Sequence, residues 1–153
     1  MSGDLSVLAM QAWERFGKLT PYNRAIGMEL ERADAEWSTV ILPYREEFVG
    51  DPETGVLHGG LVSALLDVAG AFSVFSRTQA LRMIATLDLR IDYLKPATPG
   101  KPLIAGAVCH KVTADLAFVR GAAYHETPND QIASAVGIYI FTDEAPVVEG
   151  KQK

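Results

Sequence analysis

The sequence predicts an α+β domain: an antiparallel sheet of five to six strands wrapped around one long central helix, preceded by a short N-terminal helix. Three observations carry this expectation. Residues 58–76, HGGLVSALLDVAGAFSVFS, are apolar on nearly every helical face, contain no proline and run too long for a typical strand. A helix of that kind must be covered on nearly every side. Residues 86–94 then switch to a period of two, and strand-like runs flank the single long helix instead of alternating with helices, which favours antiparallel pairing over βαβ units.

Taken in order, Leu5 to Phe16 place Leu5, Leu8, Ala9, Ala12 and Phe16 at helical spacing, and Pro21-Tyr22-Asn23 reads as a break. Two strands are expected at 26–32 and 36–43, joined by a tight turn at 33–35. Gly50-Asp51-Pro52-Glu53-Thr54-Gly55 is a loop of turn-formers leading into the central helix. In 86–94, Leu87, Leu89, Ile91 and Tyr93 should face one way and Asp88, Arg90 and Asp92 the other. Residues 96–100 end that strand. Three more are expected at 102–112, 116–125 and 131–142, separated by turns at Ala114-Asp115 and Pro128-Asn129-Asp130. The tail from Asp143 is polar and reads as loose. No repeat or linker divides the 153 residues, so one domain with a core over about 22–142 is expected.

Hydrophobic residues make up 48% and charged residues 22%, the balance of an ordinary globular chain. A net charge of −5 argues against a broad basic surface for nucleic acid. The opening residues lack a basic stretch followed by a long apolar run, so no signal peptide is expected. Asp67, three glycines and three serines argue against 58–76 as a membrane span. The single Cys109 excludes an internal disulfide and fits a reducing cytoplasm. It reads as a small buried hydrophobe. His110 and His125 belong to no metal-ligand cluster, and Ser63 lacks a G-x-S-x-G elbow, so neither a metal centre nor a serine nucleophile is expected.

The informative residue is Asp67. Within 58–76 it is the only acid or base besides His58. A carboxylate without a nearby cation is costly to bury, and leucine would stabilise a purely structural helix better. Chemistry is the economical reason for it. The helix start, Gly55-Val56-Leu57-His58-Gly59-Gly60, leaves N–H groups bare at the positive end of the dipole, where they could polarise a carbonyl. The same glycines could simply ease the turn into the helix, and His58 could act as a base or merely fix the loop. Asp67 lies eight residues after Gly59, roughly 12 Å along the axis. One carbonyl cannot touch both, so a shared reaction requires two antiparallel helices and hence a homodimer with two equivalent sites. Gly60, Ser63, Asp67, Gly70 and Val74 form a small or polar stripe suited to such an approach, or to ordinary close packing within one chain.

Over about residues 22–142 these pieces resemble the hotdog fold, specifically its PaaI-like acyl-CoA thioesterase branch. The matching residues are Gly55-Val56-Leu57-His58-Gly59-Gly60, Leu66-Asp67, Thr86-Leu87-Asp88-Leu89 and Tyr93-Leu94-Lys95-Pro96-Ala97. The resemblance implies hydrolysis of an acyl-CoA thioester. Asp67 would be general base or nucleophile, Gly59 the carbonyl's N–H donor from the other subunit, Thr86 a hydroxyl holding water or substrate, and His58 a positioning group. Beside these, Gly60 and Ser63 on the small face of the helix and Asp51 in the loop before it are expected to bind substrate. No cofactor is implied beyond the coenzyme A of the substrate, and dimers often pair into homotetramers. The branch usually carries Asn where this chain has Asp51, which accepts hydrogen bonds but lacks an amide's donors. Lys95, Arg90 and Arg120 are candidates for the coenzyme A phosphates. The alternatives are a non-catalytic acyl-CoA binding or sensing module on the same fold, and a hotdog dehydratase, whose residue spacing fits poorly.

Overall fold

The computed structural model describes residues 7–142; Leu5 and the expected tail from Asp143 lie outside them. The described residues open with helix α1 (Val7–Ala12), which widens into a π-helical turn over Trp13–Lys18. The Trp13 ring there lies where a Cβ on Gly17 would stand, only 2.2 Å from it, so glycine alone fits. Helix α2 (Pro21–Ile26) follows. From sequence Pro21 is expected to break the helix and a strand to begin at Ile26; in the structure Pro21 opens a helix. Its fixed φ suits the first turn, and Gly27 ends the helix in the left-handed region at φ 74°.

Strands β1 (Glu29–Ala33) and β2 (Ser38–Leu42) pair antiparallel. Two short strands not expected from the sequence, β3 (Val49–Asp51) and β4 (Val56–Leu57), pair across the turn-rich loop. Helix α3 (Gly59–Thr78) is the central helix, followed by β5 (Ile84–Tyr93), β6 (Leu103–Val112), β7 (Leu116–Tyr124) and β8 (Ala133–Phe141). Six strands form one antiparallel sheet in the order β1-β2-β6-β7-β8-β5. This is the expected wrapped architecture, with α3 packed mainly on β6, β7 and β2. By length and composition α3 could cross a bilayer, but 61% of its most apolar window is buried against the sheet.

Two details position the site. A bulge between Thr86 and Asp88 interrupts the β5–β8 register. The expected alternation fails there: Leu87 is 58% exposed, while Thr86 bonds to α3. Bulges re-aim side chains in this way. The expected small-residue stripe also splits. Gly70 and Val74 are buried, whereas Ser63, Ala64, Asp67, Val68 and Ala71 form the half-exposed face. At 3.6 residues per turn the i+3 and i+4 neighbours of one position diverge around the helix.

Candidate active site

Asp67 sits midway along α3 on its half-exposed face. Thr86 donates its hydroxyl proton to Asp67 Oδ1 at 2.6 Å. Tyr139 Oη, from β8, lies 2.7 Å from the Asp67 carbonyl oxygen and 3.3 Å from the same Oδ1. Oδ2 has no hydrogen-bond partner among the described residues. Two hydroxyls thus answer the burial cost that the sequence left unexplained, and they leave one carboxylate oxygen for chemistry. Tyr139 is 1% exposed. Burial first, and the Asp67 charge second, push its phenol far above its ordinary range, so it stays a neutral donor. Sequence reasoning missed Tyr139, since an inward aromatic on a strand reads only as core. Its partner Gly70 gives way for it: a Cβ there would stand 2.2 Å from Tyr139 Oη.

The helix start is a separate assembly. His58 caps α3, its Nδ1 accepting the Gly60 N–H at 2.9 Å. That contact fixes Nδ1 as unprotonated and occupies the Gly60 donor. The Leu61 N–H is taken by the His58 carbonyl at 3.0 Å. The Gly59 N–H has no acceptor among the described residues, and Gly59 is exposed. Tyr93 Oη donates to the Gly59 carbonyl at 3.1 Å, and Ser63 Oγ lies 2.6 Å from the same Oη. Tyr93 therefore buttresses the glycine turn, a role that the sequence did not suggest for it.

Asp67 borders a cavity of ≈ 140 Å³ together with Phe16, Phe72, Phe75 and Met83. Gly59 borders a different one, of ≈ 350 Å³, with Tyr93 and Lys95. The two expected halves of the site are thus not brought together within one chain.

Asp51 serves its own turn, with one carboxylate oxygen accepting the Glu53 N–H at 3.1 Å and the other the Thr54 hydroxyl at 2.6 Å. The Thr54 contact, above all, holds its carboxyl below the usual range. Arg90 pairs with Asp92 at 3.1 Å and Lys95 with Asp130. Arg120 is exposed on β7. Cys109 is buried, its thiol pushed up by burial. His125 spans two backbone groups, Pro102 O and the Thr98 N–H, at 2.7 Å each.

The profile of the thioesterase superfamily matches residues 54–131. The medium/long-chain acyl-CoA thioesterase YigI of Escherichia coli K12 is 31% identical over 140 residues, covering 83% of this chain and 89% of YigI. A crystal structure of a Pseudomonas aeruginosa protein superposes with a TM-score of 0.79 at 35% identity, over 88% of this chain and 99% of that one. The E. coli PaaI protein of the phenylacetic acid degradation operon shares the fold, with a TM-score of 0.78 over 90% of this chain and 96% of PaaI at 19% identity.

Proposed function

The chain belongs to the thioesterase superfamily and has its hotdog fold, and from that premise we propose that it is an acyl-CoA thioesterase, hydrolysing its substrate to free acid and coenzyme A in sites shared between two subunits. The observation that carries the reading is the state of Asp67. Its Oδ1 is held by hydroxyl donors, its Oδ2 has no partner among the described residues, and the residue borders a cavity walled by aromatic rings.

We assign Asp67 as general base. Thr86 spends its proton on Oδ1, so its oxygen can accept from a second donor. A water can then give one hydrogen to Oδ2 and the other to Thr86 Oγ1, leaving a lone pair aimed at the thioester carbon. As the O–C bond forms, Oδ2 takes the water proton. The carbonyl oxygen gathers negative charge against the N–H of Gly59 of the partner subunit. Collapse breaks the C–S bond and releases the thiolate of coenzyme A; the proton held on Oδ2 passes to that thiolate, directly or through solvent, and Asp67 is restored as a carboxylate.

Three features support the shared site. Asp67 and Gly59 lie on one rigid helix and face different cavities. Strand β5 is a ten-residue edge with exposed Leu87 and Tyr93, the kind of edge that proteins normally pair or protect. The half-exposed stripe of α3 offers small residues for close approach. The direct test is Asp67→Asn. The variant should fold and assemble as the parent does, yet hydrolyse acyl-CoA several orders of magnitude more slowly. Undiminished thiol release by the purified variant would remove Asp67 from the mechanism.

A further inference from the structure

The cavity beside Asp67 is bordered by one polar side chain that neither the fold nor the proposed hydrolysis employs. Asn23 is 8% exposed and borders the cavity, yet its side-chain amide makes no hydrogen bond among the described residues. Its backbone carbonyl is engaged: it accepts the Gly27 and Met28 N–H groups at 3.1 and 3.3 Å. Its helix is also held from outside, because the Arg45 guanidinium reaches the Ala25 and Ile26 carbonyls at 3.1 and 3.2 Å. The helix that carries the amide is therefore held in place, and the amide itself has no partner among the described residues.

Packing does not explain it. The neighbouring wall is hydrocarbon: Phe16 stacks on Phe75 with ring centres 5.4 Å apart, and Phe72 meets Phe75 edge-on. A leucine would suit that setting better than an amide. The other polar group at the cavity besides Asp67 is Arg82, whose guanidinium lies 4.0 Å from the Phe141 ring centre. A plain hydrocarbon tail filling the cavity would strip Asn23 of water and leave its amide unpaired, a recognised penalty. A tail bearing an oxygen would restore the bond.

Resting on the thioesterase reading, we propose that Asn23 is a specificity-determining residue that pairs with a hydroxyl or keto oxygen on the acyl group, so that the preferred substrates are oxygenated acyl thioesters. An amide both donates and accepts, so it serves either oxygen. Sites built to pair with a substrate's polar group discriminate strongly against analogues that lack it.

The test measures kcat/KM of the purified protein on matched pairs: hexanoyl-CoA against its 3-oxo and 3-hydroxy forms, and phenylacetyl-CoA against its 4-hydroxy form. At least one oxygenated member should exceed its parent by about tenfold or more, and Asn23→Leu should abolish that advantage. Equal rates within every pair, or a preference that survives Asn23→Leu, would overturn the assignment while leaving thioesterase activity intact. Absence of hydrolysis on every thioester would instead overturn the premise. Should Asn23→Leu fail to fold, Asn23→Ala replaces it, and equal wild-type rates within every pair overturn the assignment without either variant.

Discussion

The support given to Asp67 by Tyr139 predicts a specific coupling between two residues the sequence alone would treat as unrelated core. Tyr139→Phe removes one hydroxyl and nothing else. The Asp67 carbonyl lies mid-helix and keeps its intrahelical partner, and Oδ1 keeps Thr86, so no buried group is orphaned. The expected cost is that of one net hydrogen bond, about 1 kcal/mol, or about 2–4 °C in Tm for a chain of this size. Gly70→Ala attacks the same contact sterically, since its Cβ would stand 2.2 Å from the hydroxyl oxygen and 2.9 Å from the adjacent ring carbon. Overpacking of this kind costs about 1–3 kcal/mol. The ring is almost fully buried and cannot swing outward, so it must shift away from Asp67. In the Tyr139→Phe background the closest clash disappears, and the penalty of Gly70→Ala should shrink by about 1 kcal/mol, a coupling typical of contacting residues. Urea unfolding of the four proteins in the cycle measures stability, and thiol release measures turnover, which should fall in both single variants. Full additivity of the two penalties, with turnover unchanged in Tyr139→Phe, would refute the account of this contact.

Other expectations are independent of that cycle. Thr86→Val keeps the shape of β5 but deletes the hydroxyl on Oδ1, and should lower kcat about 10²-fold or more, as removal of a positioned hydrogen-bonding group does; Thr86→Ser should restore most of it. Gly59→Pro deletes the N–H that lacks an acceptor, and should reduce turnover far more than Tm; comparing the melting curve with the rate exposes the opposite result. Tyr139 also sets an alkaline limit. Its phenol is raised above the ordinary 10.0, so above that pH the unfolded chain releases a proton the folded one retains. Stability should then fall as pH rises, by at most about 1.4 kcal/mol per unit for this group, and Tyr139→Phe should flatten that part of the profile in urea titrations.

The central helix was legible because one charge interrupts a long apolar run, but the sequence places its start at Gly55, whereas Val56–Leu57 pair as β4 and α3 opens at Gly59 under the His58 cap. The three last strands were legible from alternation and turn residues. What the sequence concealed was long-range. Tyr139 meets Asp67 across 72 positions, and β5 leaves its sequence neighbour β6 to lie beside β8 at the sheet edge, a choice that local pattern does not encode. Thr86 was singled out only through family resemblance, because the bulge that turns it toward α3 is a register event, invisible in a period-two pattern. Helix α2 was hidden by its own proline, which looks the same whether it ends a segment or begins one. Asp51 departs from the family's usual Asn, and the structure gives it a sufficient local task in the turn.

The most direct test mixes two chains that are each inactive. In a homodimer with shared sites, a chain carrying Asp67→Asn paired with one carrying Gly59→Pro forms one doubly damaged site and one wholly intact site. Dissociated and reassociated in equal amounts, the two variants should regain about one quarter of wild-type thioesterase activity, since half the dimers are mixed and half their sites are whole. Activity remaining at the level of the separate variants, with mixed dimers shown to have formed, would contradict the claim that one subunit's carboxylate works against the other's amide.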